Sequence, residues 1–244
     1  MQPVAFRSPR WSLQNDHVPI ESVKSRIAAI PADDVAAATA RLGDEVRGWW
    51  ACVANTGAVH IESESTMHTV ADGVQRADAL VDQGVGAVIV HPRSAIDDTS
   101  RAIVGLLCGA DATAMTPQSG DDVTWMQACA TLRDLQARYR EHRADALDHV
   151  GDDVAGLVGL LLGLAARRTP AVLVGTAAHA AAAVAQRQSS AAVDWWRSGC
   201  ASSDPLVDVV CRRLQFTPWL HVRTPIRPDV MDAAVAGIIA SMRD

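Results

Sequence analysis

Hydrophobic and polar positions along the chain form blocks whose lengths predict an α/β protein. In the block from 152 to 186, an apolar segment rich in small residues at 154–166 is followed by a short apolar run at 171–174 and by a second small-residue segment. Helices joined by short connections to a buried strand are typical of parallel sheets, because each helix has to cross back over the sheet. We therefore expect a parallel sheet flanked by helices, Rossmann-like and doubly wound, with a small helical part from the N- and C-terminal segments.

The first apolar segment of this block is bounded by charges that suit a helix. Asp152 and Asp153 lie at its start, where carboxylates interact favourably with the positive end of the helix dipole, and Arg167 and Arg168 lie at its end. The segment is too short to cross a bilayer, which requires about 20 apolar residues. We predict a buried helix and no membrane association.

Three glycines interrupt the same predicted helix, at Gly156, Gly159 and Gly163. Each costs about 1 kcal/mol of helix propensity relative to alanine. That cost is tolerable where the missing side chain allows a neighbouring backbone to approach closely. The glycines therefore predict a tightly packed partner segment against this helix.

Two short apolar runs predict strands that are buried on both faces. The run at 171–174 ends at Gly175 and Thr176, and the run at 85–90 is closed by Pro92. Because the carboxyl ends of neighbouring parallel strands meet at one edge of a sheet, we expect the segments after both strands to border one crevice. Open α/β sheets bind their ligands at this edge.

Polar residues follow the strand at 85–90, and each has two interpretations. They are Arg93, Asp98, Thr99 and Ser100. Arg93 is either solvated or directed at an anion, while Asp98, like Asp97, either caps the following helix or serves the crevice. Thr176 after the other strand has the same ambiguity, because threonine also caps helices.

Capping residues and apolar periodicity place further elements along the chain. Helices are predicted at 31–42, at 66–82 after a cap at Thr66, and at 99–107, 123–143, 202–214 and 229–242, with candidate strands at 49–53 and 219–222. Residues 55–65 are expected to be irregular, as are residues 109–122 around a short segment at 112–115. Trp49 and Trp50 are predicted to be buried, with a subunit contact as the alternative.

Composition limits the class of protein. The 244 residues are 49% hydrophobic and 20% charged, as in ordinary globular proteins, and we divide them into an N-terminal arm and helix at 1–48 and a single α/β domain at 49–244. A net charge of −6 with a single lysine, Lys24, gives no basic field for a phosphate backbone, so no nucleic-acid partner is expected. No secretion signal opens the sequence, which indicates the cytoplasm.

Cysteine and histidine positions do not indicate a metal site. The five cysteines are odd in number and form no CxxC pair, and the eight histidines are scattered. The cysteines are best explained as small buried hydrophobes in a reducing compartment. We predict neither a metal nor a cofactor.

A set of residues in the second half of the chain matches a known family. It comprises Gly151, Asp153, Ala155, Leu157 and Gly159, then Arg168-Thr169-Pro170 with Val172, Leu173 and Gly175, and then Ala191-Ala192-Val193-Asp194-Trp195, Asp204-Pro205, Leu214, Pro218 and Leu220. With these residues the chain resembles the nicotinate-nucleotide:dimethylbenzimidazole phosphoribosyltransferase family of cobalamin lower-ligand assembly. The resemblance covers residues 63–222, with a weaker match at 31–43.

The sequence departs from that family in the loop after the strand at 85–90. Where the family has GEMGIGNTT, this chain has residues 92–100, which keep only the hydroxyls of Thr99 and Ser100. Glycine-rich loops let backbone N–H groups approach a phosphate, so their loss weakens phosphate binding.

Three further departures concern the family's other loops. No GRGTG-like segment lies between Thr113 and Gly120. Residues 223–228 stand where the family has the glutamate of its GEG motif, which the resemblance implies is the catalytic base. The portion that supplies much of the family's base pocket is missing between Gly48 and Ser63. Transfer needs a group that takes the azole proton as the other azole nitrogen attacks the ribose, so these losses predict slow or absent transfer.

The resemblance leaves two hypotheses for function. In the first, the chain is an active phosphoribosyltransferase with a rebuilt site, in which Arg93 binds the phosphate and Asp98 or Asp204 accepts the proton. In the second, it is a catalytically impaired relative that binds a nucleotide or cobamide-pathway ligand, or pairs with a complete paralogue. The missing base pocket favours the second hypothesis. An unrelated α/β binding protein is a third alternative.

No residue is assigned a catalytic role on this basis. The candidate ligand-binding residues are Arg93, Asp98, Thr99, Ser100, Gly175, Thr176 and Asp204. The expected partner is a small-molecule nucleotide or azole ligand, and the expected assembly is a homodimer or a hetero-oligomer with a paralogue.

Overall fold

A four-stranded parallel sheet forms the centre of the described structure. The computed structural model describes residues 58–63, 66–118, 120–221 and 227–241. The predicted helix at 31–42 and the Trp pair at 49–50 lie outside these residues. The strands occur in the sheet in their chain order, β1-β2-β3-β4, and every neighbouring pair is parallel.

One or more helices separate each strand from the next along the chain. The strands are β1 (Ala58–Glu62), β2 (Val85–Val90), β3 (Ala171–Leu173) and β4 (Trp196–Ser198). The α-helices are α1 (Val70–Asp82), α2 (Asp98–Cys108), α3 (Ala112–Met115), α4 (Asp122–Tyr139), α5 (Asp152–Ala166), α6 (Thr176–Gln188), α7 (Pro205–Leu214) and α8 (Pro228–Ser241). Short 3₁₀ turns lie at Arg140–Arg143, Ala146–Asp148 and Ser190–Trp195.

Alternate side chains of the central strands face two separate hydrophobic clusters. In β2, Val88 and Val90 pack with α1, α2, α5, α6 and α7, whereas Ala87 and Ile89 pack with α8 on the opposite face. All six residues of β2 are buried, as predicted for a strand covered on both faces. The predicted fold class, a parallel sheet flanked by helices, is therefore confirmed.

Helices α1 and α5 pack backbone to backbone through glycines. A Cβ atom built on Gly159 would lie 2.0 Å from the carbonyl oxygen of Val70, and one on Gly156 would lie 2.2 Å from that of Met67. A Cβ on Gly73 of α1 would lie 2.0 Å from the carbonyl oxygen of Gly156. The close approach predicted from the glycines of α5 is thus confirmed, and α1 is the partner segment.

Strand β1 contradicts the expected irregular structure at 55–65. Val59 and Ile61 face the smaller cluster, while His60 and Glu62 are buried on the other face of the strand. Glu62 there pairs with Arg76 of α1, its Oε2 lying 2.7 Å from Nε. The prediction failed because one inward face of this strand is polar, so its burial leaves no apolar signature.

The helix starts are set by side-chain caps, with a correction at α1. Thr69, not Thr66, caps α1 in a capping box with Asp72. Asp97 caps α2, and Asp111 caps α3, the short segment at 112–115 that the expected loop surrounds. Each of these side chains accepts a hydrogen bond from a backbone N–H group that has no partner within its helix.

The end of α4 and two strands also differ from the predictions. Helix α4 ends at Tyr139, and a 3₁₀ turn at Arg140–Arg143 replaces its predicted end. Strand β4 was not predicted. Of the candidate strand at 219–222 the structure describes residues 219–221, and among these Leu220 forms a single bridge with Cys200.

The predicted burial of the cysteines is confirmed for three of the four that the structure describes. Cys129, Cys200 and Cys211 are buried and Cys108 is half-buried. Cys52 lies outside the described residues. Across residues 58–63, 66–118, 120–221 and 227–241, no helix has the length and apolar character needed to cross a membrane.

Candidate functional site

The segments that follow β2 and β3 adjoin at the carboxyl edge of the sheet, as predicted. The strands are neighbours, and their ladder extends past β3, since the N–H of Val174 donates to the carbonyl of Val90 at 2.9 Å. A Cβ atom built on Gly175 would lie 3.4 Å from Cδ2 of His91. Both segments therefore border one site, which we call the carboxyl edge: residues 91–100, 175–176 and 204.

Gly175 makes the turn from β3 into α6. Its φ of 81° lies in the left-handed region that favours glycine, and it occupies the N-cap position of α6 without a side-chain cap. Thr176 is thus the first residue of the helix and not its cap, so the capping interpretation of Thr176 is wrong. The N-terminal N–H groups of α6 have no side-chain acceptor at the cap and suit an anion.

Asp204 is held by four hydrogen bonds. Its Oδ1 accepts from Nη1 of Arg101 at 2.8 Å and from the N–H of Leu206 at 3.0 Å. Its Oδ2 accepts from Nη2 of Arg101 at 2.7 Å and from the Thr176 hydroxyl at 3.2 Å. A carboxylate offers about four acceptor positions, so this one is fully occupied.

The electrostatics of Asp204 favour the ionised form. Burial raises the pKa of its carboxyl, but the hydrogen bonds and charge of Arg101 lower it further than burial raises it, helped by the Leu206 N–H and the Thr176 hydroxyl. The resulting pKa lies below the usual range. Asp204 is therefore a charged anchor that joins α2, α6 and α7, and not a group poised to take a proton.

Arg93 forms an ion-paired cluster with His91 and Asp232. The Nδ1 atom of His91 lies 2.5 Å from Oδ1 of Asp232, and Nη2 of Arg93 donates to the other oxygen of the same carboxylate. Nη1 of Arg93 lies 2.9 Å from Nδ1 of His91. Asp232 is buried, while 38% of the Arg93 side chain is exposed. Arg93 is thus anchored at the carboxyl edge and not freely solvated.

Ser100 links the start of α2 to the start of α5 through hydrogen bonds of its hydroxyl. Its hydroxyl donates to Oδ2 of Asp97 at 2.7 Å and accepts from the N–H of Gly151 at 2.8 Å. Ser100 is fully buried, so it connects α2 to α5 and is not available to a ligand. Asp98 is exposed in the first turn of α2, and Thr99 is half-buried.

A buried chain of hydrogen bonds lies beneath Gly175. Nδ1 of His179 donates to the Gly175 carbonyl at 2.7 Å, because a carbonyl can only accept. Nε2 therefore accepts from the Ser198 hydroxyl at 2.9 Å, and the Cys211 thiol lies 3.6 Å from the same hydroxyl. Burial lowers the pKa of His179 to about 4, against the smaller opposing effect of the Gly175 hydrogen bond. His179 is thus a neutral support for the turn at Gly175.

At the end of β1 the carboxylate of Glu62 is also paired. Burial raises its pKa, but the hydrogen bond from His60 and the charge and hydrogen bond of Arg76 lower it below the usual range. The carboxylates of Glu62, Asp204 and Asp232 are each bound by an arginine.

Several residues of the site were missed from the sequence. Arg101 and Asp232 hold the two predicted polar residues Asp204 and Arg93, from 103 and 139 residues away. Asp232 did carry a signal, because it is a lone carboxylate in the apolar stretch 230–240. His91 carried another, as the first residue after β2. Arg101 had none beyond its place one helical turn after Asp98.

Comparison with known proteins places the chain in a family. A family model described as "Phosphoribosyltransferase" matches residues 52–226. The nicotinate-nucleotide--dimethylbenzimidazole phosphoribosyltransferase of Streptomyces avermitilis is 36% identical over 157 residues, which cover 61% of this chain and 42% of that protein. The protein of the same name from Mycobacterium tuberculosis is 31% identical over 172 residues, which cover 67% and 48%.

Solved structures support the same relationship at the level of the fold. The crystal structure of CobT from Thermus thermophilus superposes with a TM-score of 0.60 at 18% identity, covering 71% of this chain and 54% of that chain. The chain spans less than half the length of the curated relatives named above. It belongs to the nicotinate-nucleotide:dimethylbenzimidazole phosphoribosyltransferase family.

Proposed function

We propose that this chain is a diverged family member that binds a nucleotide or cobamide-pathway ligand at the carboxyl edge and is impaired in phosphoribosyl transfer. The observation that carries the proposal is the saturation of Asp204. Of the two carboxylates considered as a replacement base, Asp204 already accepts four hydrogen bonds, and the ion pair with Arg101 stabilises its charge.

Ligand binding is supported by donors that remain at the same edge. Arg93 uses part of its guanidinium for Asp232 and His91, and its exposed part leaves N–H groups for an anion. The uncapped start of α6 at Gly175 adds backbone N–H groups, which bind phosphates well. The charge of Arg93 is offset by Asp232, so the binding should be weaker than at an unpaired arginine.

The alternative is an active phosphoribosyltransferase with a rebuilt site. Asp98 is the remaining carboxylate candidate, since it is exposed at the edge. His91 is a second candidate base, because a histidine whose Nδ1 is fixed by a carboxylate can accept a proton at Nε2. In that case the azole proton moves to Asp98 or His91 while the other azole nitrogen bonds to the ribose and nicotinate leaves.

The decisive experiment supplies the purified chain with nicotinate mononucleotide and dimethylbenzimidazole and measures released nicotinate by chromatography. A complete family member serves as the positive control. We expect release at least a hundredfold slower than in that control. Turnover comparable to the control would overturn the proposal, and its loss in His91→Asn or Asp98→Asn would then identify the base.

Binding is measured separately by calorimetry with nicotinate mononucleotide. We expect Arg93→Ala to weaken binding about tenfold or more, since a charge-assisted contact to phosphate is lost. Arg133→Ala, which removes an exposed arginine on α4, is the matched control and should leave binding unchanged. Absence of binding combined with co-purification of a complete paralogue would favour the pairing role over the ligand-binding role.

A further inference from the structure

Three metal-ligating side chains converge in the connection between α4 and α5. They are His142, Asp145 and His149, and one ligand atom from each lies within 4.8 Å of the other two. Nδ1 of His142 lies 3.1 Å from Oδ2 of Asp145, and Nε2 of His149 lies 3.3 Å from the same oxygen. The cluster is remote in the chain from the residues of the carboxyl edge described above.

The two nitrogen-to-oxygen distances, from His142 and His149 to Asp145, suit a tetrahedral metal ion. Zinc binds imidazole nitrogen and carboxylate oxygen at about 2.0 to 2.2 Å, which places neighbouring ligand atoms of a tetrahedron ~3.3 Å apart. Both nitrogen-to-oxygen separations fall at this spacing. The remaining adjustment is the approach of the two nitrogens, whose rings already lie in contact with centroids 4.5 Å apart, and 46% of the His142 side chain is exposed.

The local backbone holds the three residues in place. Ala146 is buried beneath the connection, and the N–H groups of Asp148 and His149 donate to the carbonyls of Asp145 and Ala146 at 2.9 and 3.3 Å. The ring of Tyr139, centred 5.4 Å from that of His149, covers one side of the cluster. A fixed backbone with solvent on the open side leaves room for a water molecule as a fourth ligand.

The chemistry of the set selects the class of ion. Two imidazoles and one carboxylate with an open fourth position form a ligand set that zinc uses in proteins, and imidazole nitrogens disfavour calcium and magnesium. The sequence spacing, three and then four residues, brings the ligands together within one short segment. His142 and His149 are therefore less scattered than the histidine pattern as a whole, since they lie only seven positions apart.

We propose that His142, Asp145 and His149 form a binding site for zinc or a similar divalent transition-metal ion. The bound ion cross-links residues of the connection between α4 and α5. Two residues after His149, the N–H of Gly151 donates to the Ser100 hydroxyl at the start of α2. The ion therefore stabilises the chain just before α5 begins. Since a metal that binds only the folded state adds its binding energy to folding, zinc should raise the melting temperature.

The test uses the full, untagged chain, stripped with EDTA and titrated with zinc by calorimetry and with cobalt by visible absorption. We expect one high-affinity equivalent per chain and the strong visible absorption of four-coordinate Co²⁺. Each of the variants His142→Ala, His149→Ala and Asp145→Asn should weaken zinc binding tenfold or more. His68→Ala, which removes an exposed histidine that is not part of the cluster, is the matched control and should bind like the parent chain.

Asp145→Asn separates a metal site from a hydrogen-bonded cluster. Its amide oxygen still accepts from the imidazoles, so the melting temperature in EDTA should stay near that of the parent, while the zinc-dependent rise is lost. Zinc binding that persists in all three variants, or that falls equally in His68→Ala, would overturn the proposal, as would a chain that takes up no zinc. Circular dichroism of each variant in EDTA confirms that the fold is retained.

Discussion

At the scale of single residues, two carboxylates at the carboxyl edge are already bound by partners within the chain. Asp204 is bound by Arg101, and Asp232 is bound by Arg93 and His91. Removing one member of such a partly buried pair leaves an uncompensated charge, which costs more than the intact pair contributes. These residues therefore hold the loops in place, a role that their residue types alone do not reveal.

The buried histidine beneath Gly175 predicts a specific loss of stability in acid. His179 has a pKa of about 4 in the folded chain against 6.5 for the free side chain, so below pH 6.5 the unfolded state binds a proton that the folded state does not. Stability from this residue is complete above pH 6.5 and falls as the pH drops towards 4. The full difference amounts to about 3 kcal/mol at roughly 1.4 kcal/mol per pH unit.

Urea unfolding of the parent chain and of His179→Asn between pH 4 and 7.5 measures this contribution. The variant should be about 1 to 3 kcal/mol less stable at pH 7, because the Ser198 hydroxyl loses its acceptor. Its stability should fall less steeply with pH than that of the parent. His68→Asn, at an exposed site, should keep the slope of the parent. Equal slopes in the parent and His179→Asn would show that His179 titrates normally.

At the scale of elements, the contact between α1 and α5 depends on glycines that a methyl group would break. Gly159→Ala gains about 1 kcal/mol of helix propensity, yet its Cβ would lie 2.0 Å from the Val70 carbonyl oxygen. Backbone cannot yield as a side chain can, so overpacking should outweigh the gain and destabilise the chain by about 2 kcal/mol or more.

Urea denaturation at pH 7 checks this expectation against Gly120→Ala. A Cβ on Gly120 meets no atom within 4 Å, so that variant should lie within about 0.5 kcal/mol of the parent. If Gly159→Ala were as stable as the parent, the two helices would have to be farther apart than the structure places them.

Some helices and strands could be predicted from the sequence and others could not. Apolar runs bounded by charges, glycine or proline are local signals, and they predicted helix α5, strand β2 and the start of α7. Strand β1 was not predicted because His60 and Glu62 occupy its buried face, and β4 was not predicted because its sequence, Trp-Arg-Ser, is not an apolar run. The three-residue β3 was predicted, since all of its residues are apolar.

The position of the candidate site could be predicted from local patterns, but the pairing of its residues could not. The shared edge of β2 and β3 was predictable, because parallel neighbours place their carboxyl ends together. The partners of Arg93 and Asp204 were not, since Asp232 and Arg101 lie more than a hundred residues away in the chain. Pairing across such a separation is decided by the assembled fold.

At the scale of the whole molecule, the cluster of His91, Arg93 and Asp232 fastens α8 to the sheet. Helix α8 covers the second face of β2 and β3 with apolar residues, and Asp232 is its buried link to the carboxyl edge. Neutralising that carboxylate weakens the ion pair and the hydrogen bond that tie α8 to the segment after β2. Asp232→Asn should therefore destabilise the chain by about 2 to 4 kcal/mol and loosen α8 before the rest of the fold.

Hydrogen exchange followed by mass spectrometry locates the effect. In Asp232→Asn, the fold increase in exchange rate should be at least ten times larger for amides of residues 230–240 than for those of α5, whose increase reflects global stability alone. Asp229→Asn in the first turn of α8 is the matched control, because its partner Arg227 is 79% exposed and such surface pairs contribute little. A uniform rise in exchange over both helices would mean that α8 unfolds only with the whole domain. The ion-paired cluster would then act on the fold as one unit, and the carboxyl edge would be as rigid as the core beneath it.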